Sequence, residues 1–194
     1  MSGRAQLLRK LSMVTSLEDN IRVFLHINNF SDSQHQDLSK VAALVLPHIP
    51  RITDEFYQRL ASEPLTARYI EGRLEGLKNT HTQWLESLFK AQIDGDFFEN
   101  QLRIGRTHVC AQIPPLFVAG SMSFLRSVFP SIIEKETGNA EGAGAISGAI
   151  LKTLDLCHYL IDHAYEQDRL SRITGATGLS RPLLENLIAL KQRA

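Results

Sequence analysis

Neither sign of charge dominates this chain: Lys and Arg number 21, as do Asp and Glu, over 194 residues. With no net field and no run of Lys and Arg, it lacks the footprint that draws nucleic acid or an anionic membrane. Cysteine is nearly absent. Cys110 and Cys157 lack CxxC spacing, which excludes a disulfide framework or a thiolate zinc site. Two lone thiols suit a reducing compartment. No basic-then-apolar leader opens the chain and no apolar run reaches about eighteen residues, so a soluble, cytoplasmic protein is expected. Hairpin signals of the Asn-Gly type between alternating runs are missing, and so are HExxH, GxSxG and a phosphate-cradling glycine loop.

What is present is helical periodicity. The composition is 43% hydrophobic and 22% charged, ordinary for a folded chain, and the length suits one domain able to enclose a cofactor. The expected fold class is all-α. Leu7, Leu8, Leu11 and Val14 make a first amphipathic segment. Ser16-Leu17-Glu18-Asp19 opens a second one, and Ser31-Asp32-Ser33-Gln34 repeats that start before Leu38, Val41, Leu44 and Val45. Pro47 and Pro50 restart a helix through Ile52, Phe56, Tyr57 and Leu60, broken by Pro64. A long helix is expected over residues 66–90, then a turn at Ile93-Asp94-Gly95-Asp96. Two further long helices follow at about 115–129 and 143–172, separated by a loop over residues 136–142. Ala140, Gly144 and Gly148 recur every four residues, a spacing that suggests close packing, since each helical glycine costs about 1 kcal/mol. The stretch from Arg172 to Gly178 breaks the pattern, and Ser180 caps a last amphipathic segment with Leu183, Leu184, Leu187 and Leu190. The division is therefore residues 1–172 as a domain and 173–194 as a connector or partner-facing helix.

The stretch Gln101-Leu102-Arg103-Ile104-Gly105-Arg106-Thr107-His108-Val109-Cys110-Ala111 reads as a helix stopped by Pro114-Pro115. Ile104, His108 and Ala111 share one stripe, so a single imidazole stands on an apolar face. Such a histidine either bonds a backbone carbonyl in the core or serves as an axial ligand to iron. About fifty residues upstream stands Tyr57, whose buried hydroxyl either bonds a carbonyl or faces a ligand.

Asp54-Glu55-Phe56-Tyr57, Leu77-Lys78-Asn79-Thr80 and Ile104-Gly105-x-x-His108 with Pro114-Pro115, in this order and spacing, resemble the globin-coupled sensors, haem globins with an extra N-terminal helix. The resemblance covers most of residues 1–172 and implies a globin fold with that extra helix and a C-terminal helical connector. It implies His108 as the iron ligand and Tyr57 as the distal hydroxyl, with Leu77 and Thr80 bordering the bound gas. Haem b would be held non-covalently, neither cysteine lying in CxxCH. O2 on ferrous haem carries negative charge that a hydroxyl donor stabilises; CO carries far less. Thr80 is open to another use, back-bonding to the carbonyl four residues earlier. His81 could approach the same pocket, but the resemblance puts a non-ligating residue there. His26, His35 and His48 read as solvated residues near helix ends, Trp84 as core packing, and His158 and His163 lie on different helix faces. Val118 stands where several members of the family offer an aromatic hydroxyl.

The function so implied is a sensor of O2, with CO or NO as further ligands, that is not itself an enzyme. It would signal through a homodimer, built on its last two long helices as a four-helix bundle, to an effector such as a diguanylate cyclase, histidine kinase or chemotaxis transducer. Two other functions remain open: a single-domain globin in O2 or NO chemistry with an external reductase, and a haem-free globin acting through partner contacts.

Overall fold

The computed structural model describes residues 16–90, 92–138 and 140–190. The expected segment at Leu7–Val14 lies outside them. The elements are α1 (Leu17–Ile27), α2 (Asp32–Val45), a 3-10 turn (Leu46–His48), α3 (Ile49–Ser62), α4 (Pro64–Ala67), α5 (Leu74–Lys90), α6 (Gly95–Cys110), α7 (Pro115–Thr137), α8 (Ala140–Thr177) and α9 (Arg181–Ala189). No strand occurs among the described residues. The all-α expectation holds.

Caps set several boundaries. The Ser16 hydroxyl accepts the Asp19 N–H at 3.1 Å and the Asp94 carboxylate accepts the Phe97 N–H at 3.0 Å, each satisfying a donor that its helix leaves free. Gly138 and Gly178, at φ +62° and +71°, close α7 and α8 in the left-handed conformation.

Three elements differ from the sequence reading. The long helix over 66–90 is broken: α4 ends at Ala67, the chain turns through residues 68–73, and α5 begins at Leu74. The break lets Ile70 bury against Phe56 and Tyr57. The helix expected to end near 129 continues through Pro130 to Thr137. Proline there removes one backbone donor, yet Phe129, Ile132 and Ile133 are buried, and that burial holds the helix together. The last long helix begins at Ala140, and it passes the expected break at Arg172 to reach Thr177.

The long helix α8 is the spine of the fold. Helices α2, α6, α7 and α9 pack on it, whereas α5 packs on α2 and α3. Most of the core, including Leu88, Phe129, Leu154, Leu156 and Leu160, forms one apolar cluster along this spine. A second, smaller cluster joins Phe56, Tyr57 and Ile70 with Leu60, Leu74 and Leu77. Phe124 of α7 touches both.

Glycine has a packing role at position 105 rather than in the expected stripe. A Cβ on Gly105 would stand 2.7 Å from the Ala164 Cβ and 2.8 Å from the Ile161 carbonyl oxygen, so α6 approaches α8 as closely as a bare backbone allows. At Gly144 and Gly148 a Cβ would meet nothing within 4 Å among the described residues, so neither glycine is required there by a close approach. Gly105→Ala should therefore lower stability: overpacking costs about 1–3 kcal/mol against about 1 kcal/mol of helix propensity gained. Gly120→Ala, also helical with open space around it, should raise it. Urea unfolding of the two variants beside the parent checks both signs; a stabilised Gly105→Ala would mean that the interhelical approach is not a constraint.

Candidate cofactor site

Helices α5 and α6 follow each other in the chain and touch through one polar pair. Near the loop the Trp84 indole N–H donates to the Gln101 Oε1 at 3.0 Å, pinning the pair. Two helical turns from this pin, seven residues back from Trp84 and seven on from Gln101, stand Leu77 and His108. A seven-residue step returns to the same helix face. Leu77 therefore shares a helix face with Trp84, and His108 shares one with Gln101. Gln101 is fully buried, and its Nε2 has no partner among the described residues.

His108 is half-buried, and its Nδ1 lies 2.8 Å from the Ile104 carbonyl oxygen one turn earlier. A carbonyl only accepts, so Nδ1 carries the proton and the neutral ring presents its lone pair at Nε2. The bond also fixes the ring orientation, as a second partner does for a metal-ligating histidine. Beyond the helix the Ile113 N–H returns to the His108 carbonyl at 3.0 Å, with Gln112 at φ +56° making the turn. Tyr165 of α8 donates its hydroxyl to the Ile113 carbonyl at 2.7 Å.

Tyr57 is buried in the smaller cluster, and its hydroxyl makes no hydrogen bond among the described residues. Burial pushes its pKa up to about 12, so the hydroxyl stays a neutral donor at any physiological pH. Leu77 packs against this cluster. Thr80 is exposed, and its hydroxyl lies 3.0 Å from the Leu77 carbonyl and 3.2 Å from that of Gly76. Its proton is thus used in back-bonding.

His81 is the residue that sequence reasoning set aside and the fold brings in. Its ring stacks on Phe56 at 4.7 Å, meets Tyr57 edge-on at 5.7 Å and lies 5.7 Å from Trp84. Its Nδ1 is 3.1 Å from the hydroxyl of Thr53, which accepts from Thr82 at 3.2 Å. Burial lowers the His81 pKa to about 4, leaving it neutral. The spacing of Phe56 and His81, 25 residues apart on two helices, carries no local signal of this stack. Two further sequence readings are corrected. His48 is half-buried, with Nε2 at 3.0 Å from Glu136 Oε1. Trp84 is more than packing, because it carries the pin to Gln101. Among the described residues no cluster of His, Cys, Asp and Glu could hold a bare metal ion.

An imidazole with Nε2 free of hydrogen bonds, and a separate apolar cluster holding a buried tyrosine whose hydroxyl has no partner among the described residues, suit a flat apolar cofactor that takes a single nitrogen from the protein. The comparisons agree. The Protoglobin family model matches residues 17–171, and the chain belongs to that family. It is similar to the globin domain of the Geobacter sulfurreducens globin-coupled sensor, with 25% identity, TM-score 0.71, 78% of this chain covered and 99% of that one. It also resembles in fold the ferric globin domain of E. coli DosC, at 15% identity and TM-score 0.63, covering 74% and 98% of the two chains. The fold is thus a globin, and a globin domain implies a haem site and a binding rather than catalytic module.

His81 supplies a pH test. Its folded pKa, about 4, lies below an unfolded value near 6.5, so the unfolded chain binds the proton first and stability falls with acid over that window. The loss is up to about 3 kcal/mol if the whole shift is realised, at about 1.4 kcal/mol per unit. Below pH 4 this contribution stops changing. His81→Gln should flatten the profile of unfolding midpoint between pH 6.5 and 4; an unaltered slope would place the acid sensitivity elsewhere.

Proposed function

We propose that this chain is the haem-based gas-sensing domain of a globin-coupled sensor, with O2 as its ligand and CO or NO as alternatives. The observation that carries the reading is the His108 tautomer, fixed by the 2.8 Å bond to Ile104, which leaves Nε2 free to hold iron. Haem b, bound non-covalently, would supply reversible binding of a diatomic gas that becomes partly negative when it is O2. The chain's own residues do the rest: His108 holds and orients, Leu77 limits access, and the Tyr57 hydroxyl donates to the charged gas from a desolvated position. Thr80, its proton already committed, adds little. Residues 1–172 form the sensing domain in this reading, located in the cytoplasm, and 173–194 lead to an effector. The apolar exposed face of α9, with Leu183, Leu187 and Ile188, supports a partner-facing role there.

A Soret band on the purified protein, lost from His108→Ala, is the expected outcome. A variant that retains haem with an unchanged ferrous spectrum would exclude His108. A six-coordinate ferrous spectrum in the parent would instead bring His81 to the iron. Tyr57→Phe should release O2 about ten- to a hundredfold faster, since a hydrogen bond to a charged group is worth roughly 1.5–3 kcal/mol, while CO dissociation changes little. Removing Thr80 as well should add nothing. Equal acceleration for both gases would reduce Tyr57 to a packing residue.

The same reading includes a homodimer through α7 and α8. Supporting it, α7 has a window of mean hydropathy 1.5 of which only 33% is buried, and the open Gly144 and Gly148 lie on α8. That hydropathy also makes α7 the one described helix apolar enough to cross a membrane, a test that core helices pass too. Sedimentation at micromolar concentration should give twice the chain mass; a monomer with and without gas would remove the dimer and the signalling route.

A further inference from the structure

The turn at 68–73 reaches both the Tyr57 cluster and the end of the His108 helix. Tyr69 is half-buried in this turn, and its hydroxyl donates to the Gln112 carbonyl at 3.0 Å, just beyond the His108 helix. Its ring lies edge-on to Phe117 at 5.9 Å. On the other side of the turn Ile70 is anchored in the Tyr57 cluster, and the Leu77 N–H bonds the Arg73 carbonyl at 3.0 Å. The turn thus bridges the tyrosine side of the slot to its histidine side.

Two guanidinium groups gather round Tyr69. Arg68 donates to the Tyr69 hydroxyl at 2.9 Å with its guanidinium carbon 4.8 Å from the ring centroid, and Arg73 donates to the Tyr69 carbonyl. Each guanidinium has five N–H donors, so most remain free. Neither is ion-paired among the described residues, and Glu71 in the same turn bonds neither. By contrast Arg59, Lys78 and Arg106 on the flanking helices are already paired with Glu55, Asp54 and Glu99. Two cations free of anions at the solvent edge of an apolar slot fit a flat apolar ligand carrying carboxylates on one edge.

We propose that Arg68 and Arg73, gathered round Tyr69 where it bridges to Gln112, receive the two carboxylates of a porphyrin dicarboxylate seated between Leu77 and His108. The inference rests on the haem reading and adds the residues that orient the cofactor. Tyr69 holds both arginines in place, and its bond to Gln112 ties the anchored edge to the end of the His108 helix.

The test loads the full chain with iron protoporphyrin IX or with its dimethyl ester, which has the same ring and no free carboxylate, and follows porphyrin loss to an excess of a competing haem acceptor. The parent should lose the ester faster. Two exposed arginine–carboxylate pairs together are worth roughly tenfold in rate. Arg68→Gln/Arg73→Gln should lose the dicarboxylate about tenfold faster than the parent and the ester at an unchanged rate. Equal acceleration for both porphyrins would make the arginines props of the turn, and no acceleration for either would place the carboxylates elsewhere; each overturns the proposal while leaving the haem reading intact. A parent that shows no Soret band with either porphyrin overturns the haem reading and this proposal with it.

Discussion

The structure depends on the approach of α6 to α8 at Gly105. Without a side chain there, the His108 helix lies directly on the backbone of Ile161 and on Ala164. Where α6 lies decides where the imidazole stands, because Ile104, which orients the ring, and Gly105, which sets the contact, are neighbours in sequence. Five residues beyond His108, Tyr165 bonds the Ile113 carbonyl, and burial pushes that tyrosine's pKa up to about 12 so the donor persists. The helix is thereby fixed to α8 on both sides of the histidine. A displacement of His108 has two outcomes: α8 follows, or one of these two attachments is strained. A packed interior deforms little before it shifts as a unit, which favours the first.

On the opposite side of the slot the controlling fact is desolvation. Tyr57 and His81 are pushed in opposite pKa directions by the same burial, one up and one down, and both end neutral. A neutral tyrosine is a donor without charge, suited to discriminating ligands by the charge they carry. His81, stacked on Phe56 and held through Thr53 and Thr82, stiffens the wall behind it. That network joins polar side chains on two helices.

The sequence carried the fold class and the helices on which Tyr57 and His108 stand, because helical period is a local property. It also carried the N-cap at Ser16, whose donor and acceptor lie three residues apart. The neighbours of His81 were not legible for the opposite reason: Phe56, Tyr57 and Thr53 come from α3, and no pattern within α5 records which helix will lie against it. The Trp84–Gln101 pin was missed likewise, a pair seventeen residues apart across a loop. Pro130 misled by acting as the break it usually is, whereas the buried residues on either side outweighed one lost hydrogen bond. The turn at 68–73 went unread because Leu74 and Leu77 continue the apolar period of what precedes them, and the gap shows only once Ile70 has a cluster to enter. Spacing drew attention to Gly144 and Gly148, while the compression at Gly105 comes from Ile161 and Ala164 of α8, which no local spacing records.

The two ends of the slot are held by different means, and the difference bears on how it opens. At the loop end, a fully buried glutamine and an indole join α5 to α6 directly, inside the core, where a hydrogen bond is hard to exchange for water. At the other end, the only bridge between the two walls described here is Tyr69 reaching Gln112, on a turn with exposed arginines on either side of it. An exposed bond costs little to replace with bonds to water. In the proposed haem reading, the end that carries Leu77 and His108 is therefore held by the weaker of the two attachments. Movement of the turn at 68–73 would carry Ile70 with it, so it would reach into the Tyr57 cluster as well as the surface.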